Sequence, residues 1–295
     1  MKTFRAELAF PGRAMLGEGS LWDAERQQLC WVDIYDCKVC LFDPARGCNS
    51  AFDVGANVGT VVPTREGELL IALRDEIACL DPETGKLRRV ATAHPPTPGL
   101  RFNDGKCDPE GRFWIGSMVE EGPQGGAALY MLDHDLRVKQ QLAGLTISNG
   151  LAWSGDSFYH IDTPTMELRG YRYQAGSGDL SEPHVVTSFA EGNGAPDGMC
   201  LDADGMLWVA LWGGRGVVRV DPTSGETVCR VEVPAENVTS CAFGGPELDI
   251  LYITTAQVGL SADALKADPL SGSLFCVRLP FRGLPSPAFG GTLPR

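Results

Sequence analysis

Short apolar segments recur along the chain, and six of them carry a matching apolar or aromatic triplet. The triplets are Cys30-Trp31-Val32, Leu69-Leu70-Ile71, Phe113-Trp114-Ile115, Phe158-Tyr159-His160, Leu207-Trp208-Val209 and Leu251-Tyr252-Ile253. Their middle residues are 39, 44, 45, 49 and 44 residues apart, which is the spacing of a four-stranded propeller blade. The pattern predicts an all-β fold, a six-bladed β-propeller with four antiparallel strands in each blade.

The segments between the triplets are typical of hairpin turns. Asp108-Pro109-Glu110-Gly111 precedes the third triplet and Asp202-Ala203-Asp204-Gly205 precedes the fifth, and such residues favour tight turns. The only helix that we predict is short, over residues 261–267, with Ser261 as its N-cap.

The last blade is predicted to close with the N-terminus of the chain. After the sixth triplet only one further strand-like segment remains, at 273–279. We therefore expect Thr3 to Phe10 to return and supply the missing strand, so that no edge stays free between the first and last blades. The whole chain, residues 1–295, is predicted to be a single domain.

A polar side chain stands 10 to 13 residues before each middle residue, where the first strand of each blade would line the central channel. These side chains are Glu18, Asn57, Asn103, Asn149, Asp197 and Ser240. Asn-Gly and Asp-Gly are also common turn formers, but equivalent positions in six blades would form a ring. Burying two carboxylates there favours a bound cation, and oxygen ligands suit hard or borderline divalent ions.

Composition narrows the possible partners and surroundings. The 25 Lys and Arg against 38 Asp and Glu give a net charge of −13, which opposes binding to nucleic acid or to an anionic membrane. No apolar run is long enough to span a bilayer and no signal peptide is recognisable, so a cytoplasmic location is expected. The ten cysteines are then expected to stay reduced, and Cys37-x-x-Cys40 lies in a strand-like segment that does not fit a redox motif.

Four motifs in order resemble those of the gluconolactonase, regucalcin and luciferin-regenerating enzyme family. They are Leu16-Gly17-Glu18-Gly19-Ser20-Leu21-Trp22, Arg101-Phe102-Asn103-Asp104-Gly105-Lys106, Ile147-Ser148-Asn149-Gly150-Leu151-Ala152-Trp153 and Pro196-Asp197-Gly198-Met199. The similarity runs from about Leu16 to Leu279. One departure is Ser20, where many relatives have proline.

The resemblance implies a six-bladed propeller that hydrolyses a small sugar lactone with one divalent cation, which could be Ca²⁺, Zn²⁺, Mn²⁺, Mg²⁺ or Fe²⁺. It implies that Glu18, Asn149 and Asp197 bind the metal, and that Asp197 or metal-bound hydroxide activates water. It further implies that Arg101 and Asn103 contact the substrate, with Glu121 or its neighbour Glu120 as a further contact.

Three other functions remain open from the sequence. The same oxygens could hold calcium in a non-catalytic binding protein, although Arg101 beside the site favours an enzyme. A phosphotriesterase-like hydrolase on the same fold is a second alternative, and a scaffold that binds proteins on its faces is a third. The oligomeric state is expected to be a monomer or a weak dimer, and His160 and Asp162 are interpreted as core or channel polar groups.

Overall fold

The computed structural model describes residues 1–93 and 97–294, and within them 25 strands form six sheets. Two strands precede the first blade, β1 (Lys2–Arg5) and β2 (Glu7–Phe10). Blade 1 contains β3 (Gly17–Asp23), β4 (Gln28–Asp33), β5 (Lys38–Asp43) and β6 (Cys48–Asp53). Blade 2 contains β7 (Val58–Pro63), β8 (Leu69–Leu73), β9 (Ile77–Leu80) and β10 (Leu87–Ala91). Blade 3 contains β11 (Leu100–Cys107), β12 (Phe113–Val119), β13 (Ala127–Leu132) and β14 (Val138–Leu145).

The second half of the chain repeats this arrangement. Blade 4 contains β15 (Ser148–Ser154), β16 (Ser157–Asp162), β17 (Glu167–Gln174) and β18 (Asp179–Ser188), with a 3₁₀ turn at Thr163–Thr165. Blade 5 contains β19 (Ala195–Leu201), β20 (Leu207–Trp212), β21 (Gly216–Val220) and β22 (Thr227–Glu232). Blade 6 contains β23 (Asn237–Gly244), β24 (Ile250–Ala256) and β25 (Leu274–Arg278), and the helix α1 (Ala262–Ala267) lies between the last two.

The predicted six-bladed propeller is confirmed, with four antiparallel strands in each blade. All six middle residues of the triplets lie on the second strand of a blade and are buried. The first strands contact one another from blade to blade and surround the axis. The fourth strands are far more exposed, because they have solvent on their outer edge. In β6, for example, no residue is buried.

The N-terminus closes the ring as predicted, but it does so with only part of the expected segment. β2 pairs antiparallel with β25 and completes blade 6. β1 instead pairs in parallel with β22 and adds a fifth strand to blade 5. The chain passes from one blade to the next at Ala6, whose N–H donates to Glu232 O at 2.9 Å. The N-terminal segment therefore joins two blades: β2 completes blade 6, and β1 covers the edge of β22 in blade 5.

The predicted helix and its cap are also confirmed. Ser261 has an extended backbone and its hydroxyl accepts a hydrogen bond from the Ala264 N–H at 3.1 Å. This bond satisfies one of the free N–H groups of the first turn.

A C-terminal segment that the sequence did not reveal crosses one face of the propeller. After β25 the chain bridges to Asp202 through Gly283 and to Thr64 through Phe289. The side chains of Phe289 and Leu293 are buried in the cluster between blades 2 and 3. The segment therefore ties blade 5 to blades 2 and 3 across the channel.

Candidate functional site

Each first strand contains a β-bulge at the level of the predicted polar ring. The register shifts lie between Glu18 and Leu21, Val58 and Thr60, Phe102 and Gly105, Asn149 and Leu151, Pro196 and Met199, and Val238 and Ser240. A bulge bends a strand and changes the direction of a side chain. Six equivalent bulges therefore explain how polar side chains from distant segments meet around the axis.

Glycines in the bulges let neighbouring first strands approach closely. A Cβ on Gly59 would lie 2.4 Å from Asn103 O, and one on Gly150 would lie 2.8 Å from Asp197 O. In blade 2 the residue at the bulge is Gly59. Asn57, which the sequence placed in the ring, precedes β7, and its amide donates to Ile34 O of blade 1 at 3.0 Å.

Three carboxylates lie buried near the axis, one more than the sequence predicted. Glu18, Asp104 and Asp197 are 6%, 3% and 4% exposed. Glu18 accepts a hydrogen bond from the Gly19 N–H and Asp104 accepts one from the Gly105 N–H. One oxygen of Asp104 and one of Asp197 have no hydrogen-bond partner among the residues described.

Burial raises the pKa values of all three acids, and repulsion from neighbouring carboxylates adds to the shift at Glu18 and Asp197. Burial, with the charge of Asp104, raises the pKa of Glu18 from 4.5 to about 8. Burial, followed by the charges of Glu18 and Asp104, raises the pKa of Asp197 well above its ordinary value. Burial also raises the pKa of Asp104. The charge of Arg101 opposes the shifts at Glu18 and Asp197, but its guanidinium forms its ion pair elsewhere.

Asn103 and Asn149 connect blades 3, 4 and 5 beside these acids. The Asn103 amide donates to Asn149 Oδ1 at 2.8 Å and to Ser148 O at 2.9 Å. The Asn149 amide donates to the Thr163 hydroxyl at 2.8 Å, and that hydroxyl donates to Pro196 O at 2.8 Å. Because an amide oxygen has two lone pairs, Asn149 Oδ1 keeps one for a further partner.

Arg101 is fixed on the other side of Asn103. Its Nη1 donates to Asn103 Oδ1 at 2.7 Å and its Nε pairs with Glu120 at 3.1 Å. Glu120 also pairs with Arg74 at 3.1 Å, and the ring of Tyr35 lies 5.7 Å from the Arg101 guanidinium. Arg101 is 2% exposed, so it is a preorganised donor and not a mobile surface group.

The structure brings most of the predicted site residues together. Glu18, Arg101, Asn103, Asn149 and Asp197 share one environment through the contacts and charge interactions above. Glu120 lies against Arg101, whereas Glu121 is exposed and its N–H donates to Gly99 O at 3.2 Å.

From the sequence, Asp104 was not predicted to be a buried charge at the site, and no role was predicted for Thr163. Asp104 follows Asn103 in an Asn-Asp-Gly segment that also fits an ordinary turn, so its sequence signal was ambiguous. Thr163 carried no signal, because it reaches Asn149 only through the 3₁₀ turn after β16.

His160 and Asp162 have structural roles, in line with their interpretation as core or channel groups. His160 is buried and its Nε2 is 2.8 Å from the Ser148 hydroxyl. Burial lowers the pKa of His160 to about 3, with a further contribution from the charge of Arg169. Asp162 accepts hydrogen bonds from the backbone of Thr146 and Ile147.

The donor set at the axis fits a divalent cation. Glu18 and Asp197 offer carboxylate oxygens, one of which lacks a partner, and Asn149 offers an amide oxygen. A cation among them would remove the repulsion that raises their pKa values. Within residues 1–93 and 97–294 no group of three or more His, Cys, Asp or Glu side chains is arranged to hold a metal. The donor set at the axis is of another kind, because it combines two carboxylates with the amide oxygen of Asn149.

Fold and site together define a class: a six-bladed propeller with a buried acidic centre next to a fixed arginine and two asparagines. The chain belongs to the family described as the SMP-30/Gluconolactonase/LRE-like region, which matches residues 16–257. The predicted family is therefore confirmed.

Three relatives illustrate the similarity. The chain is 39% identical over 284 residues to YvrE of Bacillus subtilis (strain 168), and the match covers 95% of this chain and 96% of that one. The name of YvrE assigns it provisionally to the sugar lactone lactonases. A calcium-binding protein, regucalcin, from Agrobacterium tumefaciens superimposes with a TM-score of 0.93 and 28% identity, covering 98% and 99%. A luciferin-regenerating enzyme superimposes with a TM-score of 0.88 and 31% identity, covering 95% and 96%.

Proposed function

We propose that this protein is a single-domain, metal-dependent lactonase that hydrolyses an aldonolactone to the sugar acid. The observation that carries the proposal is the group of buried acids, Glu18, Asp104 and Asp197, beside the fixed guanidinium of Arg101. A purely structural centre has no use for acids that repel one another. The name of the Bacillus subtilis relative supports the same substrate class.

Glu18, Asn149 and Asp197 are the proposed metal ligands, and Ca²⁺, Zn²⁺, Mn²⁺, Mg²⁺ and Fe²⁺ are the candidate ions. When bound, the cation would supply a Lewis acid that polarises the lactone carbonyl. Thr163 and Asn103 hold the Asn149 amide from two sides, and its oxygen keeps a lone pair for the ion.

Arg101 and Asn103 are proposed to bind the lactone. The Arg101 guanidinium, held by Glu120, would donate to oxygens that gain negative charge as water adds to the carbonyl. Glu120 is the better candidate of the two glutamates for a contact near the substrate, since it already lies beside Arg101. Glu121 stays a prediction, and its exposed position would require a contact at the rim.

Asp197 is the proposed base. Its carboxylate oxygen that is not bound to the metal would take the proton of the attacking water, and the lactone ring oxygen would leave with a proton as the ring opens. If Asp197 only binds the metal, Asp197→Asn with restored metal content would keep near-normal turnover, and the assignment as base would have to be dropped.

The proposed function is tested with a panel of aldonolactones and the five ions. The protein is first treated with a chelator and then assayed by pH-stat titration of the released acid. We expect turnover to disappear on chelation and to return with at least one ion. Metal content measured in the same samples shows whether activity follows occupancy.

A non-catalytic calcium-binding protein is the second candidate, because a close structural relative is described as a calcium-binding protein. It predicts tight Ca²⁺ binding with no turnover of any lactone in the panel. A phosphotriesterase-like hydrolase, the other enzymatic alternative, would hydrolyse a fluorophosphate in preference to the lactones.

We also propose a cytoplasmic location. All ten cysteines are free thiols, as expected in a reducing compartment. None of the helices in the described part of the chain is long and apolar enough to cross a membrane.

A further inference from the structure

Two cysteines from neighbouring blades lie in contact near the axis. Cys200 is on β19 of blade 5 and Cys241 is on β23 of blade 6, and their sulfur atoms are 3.7 Å apart. Cys241 is fully buried, and its thiol also lies 3.4 Å from Trp208 O. Cys200 is only partly buried, so the pair has one accessible and one protected thiol.

The accessible thiol lines a cavity whose walls do not include Glu18, Asp104 or Asp197. The cavity has a volume of about 250 Å³ and lies beyond the bulges along the first strands, where the C-terminal segment crosses the channel. Its walls include Cys200, Lys106, Trp153 and Leu284. A small polar oxidant can fit in this volume, because a water molecule in liquid occupies about 30 Å³.

A positive charge lies close to the pair. The Lys106 ammonium donates a hydrogen bond to Met199 O, the residue directly before Cys200. Reactive cysteines typically lie in partly exposed positions near a cation, because the cation stabilises the thiolate. The cavity therefore combines access, a cation and a second thiol within reach.

The two strands also approach closely beside the cysteines. A Cβ on Gly198 of β19 would lie 2.7 Å from the Ser240 hydroxyl of β23. To reach the roughly 2.05 Å of a disulfide, the sulfur atoms must approach by about 1.7 Å, which side-chain rotation can supply.

We propose that Cys200 and Cys241 form an intramolecular disulfide when the protein meets a peroxide. The Cys200 thiolate attacks one oxygen of hydrogen peroxide, which gives a sulfenic acid on Cys200 and releases hydroxide that takes up a proton as water. The Cys241 thiol then attacks the Cys200 sulfur and displaces the second oxygen as water. Two thiols are oxidised and one peroxide is reduced to two molecules of water.

The Cys37 and Cys40 pair offers an internal control. These residues form the CxxC motif of the sequence, but Cys37 lies in the turn before β5 with a left-handed backbone (φ 55°), whereas Cys40 lies within β5. Cys40 is buried, whereas Cys37 is partly exposed and its thiol lies 3.8 Å from Tyr35 O. We therefore expect no bond between them.

The experiment maps disulfides in the full-length protein. The reduced protein is treated with hydrogen peroxide in increasing amounts, its remaining thiols are blocked with N-ethylmaleimide, and it is digested with trypsin without reductant. We expect mass spectrometry to find the peptides 173–215 and 231–266 joined, with the loss of two hydrogens, and to find them separate after dithiothreitol.

Variants identify the residues responsible. Cys200→Ser and Cys241→Ser should each remove the joined peptides, and the double variant Cys37→Ser/Cys40→Ser should leave them unchanged. The proposal is overturned if wild-type Cys200 is only alkylated, is oxidised to the sulfinic acid or is joined to another peptide. Since the wild-type map alone decides this, a serine variant that fails to fold does not affect the result.

Discussion

Buried acids occur in two settings in this propeller, and the settings differ in how the charge is balanced. Asp108 binds Arg112 at 2.6 Å and Trp114 at 2.8 Å. Asp202 binds Arg219 at 2.7 Å and Trp208 at 2.9 Å. In both blades the aspartate is in the turn before the second strand and the tryptophan is six residues later, so this is a repeated structural device.

The acids at the axis lack such partners. Glu18, Asp104 and Asp197 share hydrogen bonds with backbone N–H groups, but Arg101, the arginine whose charge acts on them, pairs with Glu120. Unpaired buried charge costs stability, and the proposed metal binding would explain why it is retained at the axis. The comparison teaches that pairing separates the structural acids from the acids that we propose to be functional.

The largest expected effect is on activity when an axial acid is neutralised. We expect Asp197→Asn and Glu18→Gln each to lower kcat/KM for the lactone by about 10³-fold. At a pH above about 8, where Glu18 is charged in the folded protein, the metal-free variants should unfold at a higher temperature than the metal-free wild type, because one repelling charge is gone. Lactone assays and thermal unfolding of the chelated proteins check both parts, and a loss of stability would place these acids with the structural ones.

Neutralising a paired acid should have the opposite effects: stability should fall, and activity should change little. Asp202→Asn removes the buried charge partner of the Arg219 guanidinium and leaves it only the exposed Asp204, at 2.8 Å. We expect the free energy of unfolding to fall by about 3 kcal/mol. Turnover per folded molecule should stay near that of the wild type. Denaturant unfolding and the lactone assay, measured on the same variant, test this prediction. A fall in activity with unchanged stability would contradict it.

The axial acids should also make the stability of the metal-free protein depend on pH. Between pH 6.5 and about 8 the folded protein retains a proton on Glu18 that the unfolded chain releases, because the folded pKa of Glu18 is about 8 and its ordinary value is 4.5. Stability should therefore fall as the pH rises through this window, by roughly 1.4 kcal/mol per pH unit at most for this one group.

Below pH 6.5 a second group acts in the opposite sense. His160, with a folded pKa of about 3 against an ordinary 6.5, lowers stability as the pH falls from 6.5, because only the unfolded chain then takes up the proton. Denaturant unfolding of chelated protein at several pH values tests the upper window. The Glu18→Gln variant is the control, and an equal slope in that variant would rule out Glu18 as the source.

The smallest expected effect comes from Thr163, which touches Asn149 and not the acids. Thr163→Val removes the hydroxyl that holds the Asn149 amide, and we expect metal affinity to fall about 10-fold. Isothermal titration with the active ion measures it. Thr165→Val alters the same turn but removes only backbone contacts, to Asp162 O and from the Glu167 N–H. It is the matched control and should leave the affinity nearly unchanged.

The repeat made the fold predictable from the sequence. The triplets around Trp31, Trp114 and Trp208 recur at blade spacing because each blade must bury its second strand between its neighbours, and this local requirement is written into every repeat. The shortage of one strand after residue 279 likewise indicated that the N-terminus must close the ring. The motifs around Glu18, Asn149 and Asp197 marked the centre for the same reason, since each stands at an equivalent place in its blade.

The tertiary structure decided what depends on contacts between blades. The parallel pairing of β1 with β22, the crossing of the channel by Phe289 and the contact of Thr163 with Asn149 all join segments that no periodic pattern relates. Asp104 looked like a turn residue until its neighbours Glu18 and Asp197 were in place around it. The cysteines show the same distinction. Of the neighbouring pair in the sequence, Cys37 lies in a turn and Cys40 within β5, while Cys200 and Cys241 meet across two blades because the first strands converge at the axis.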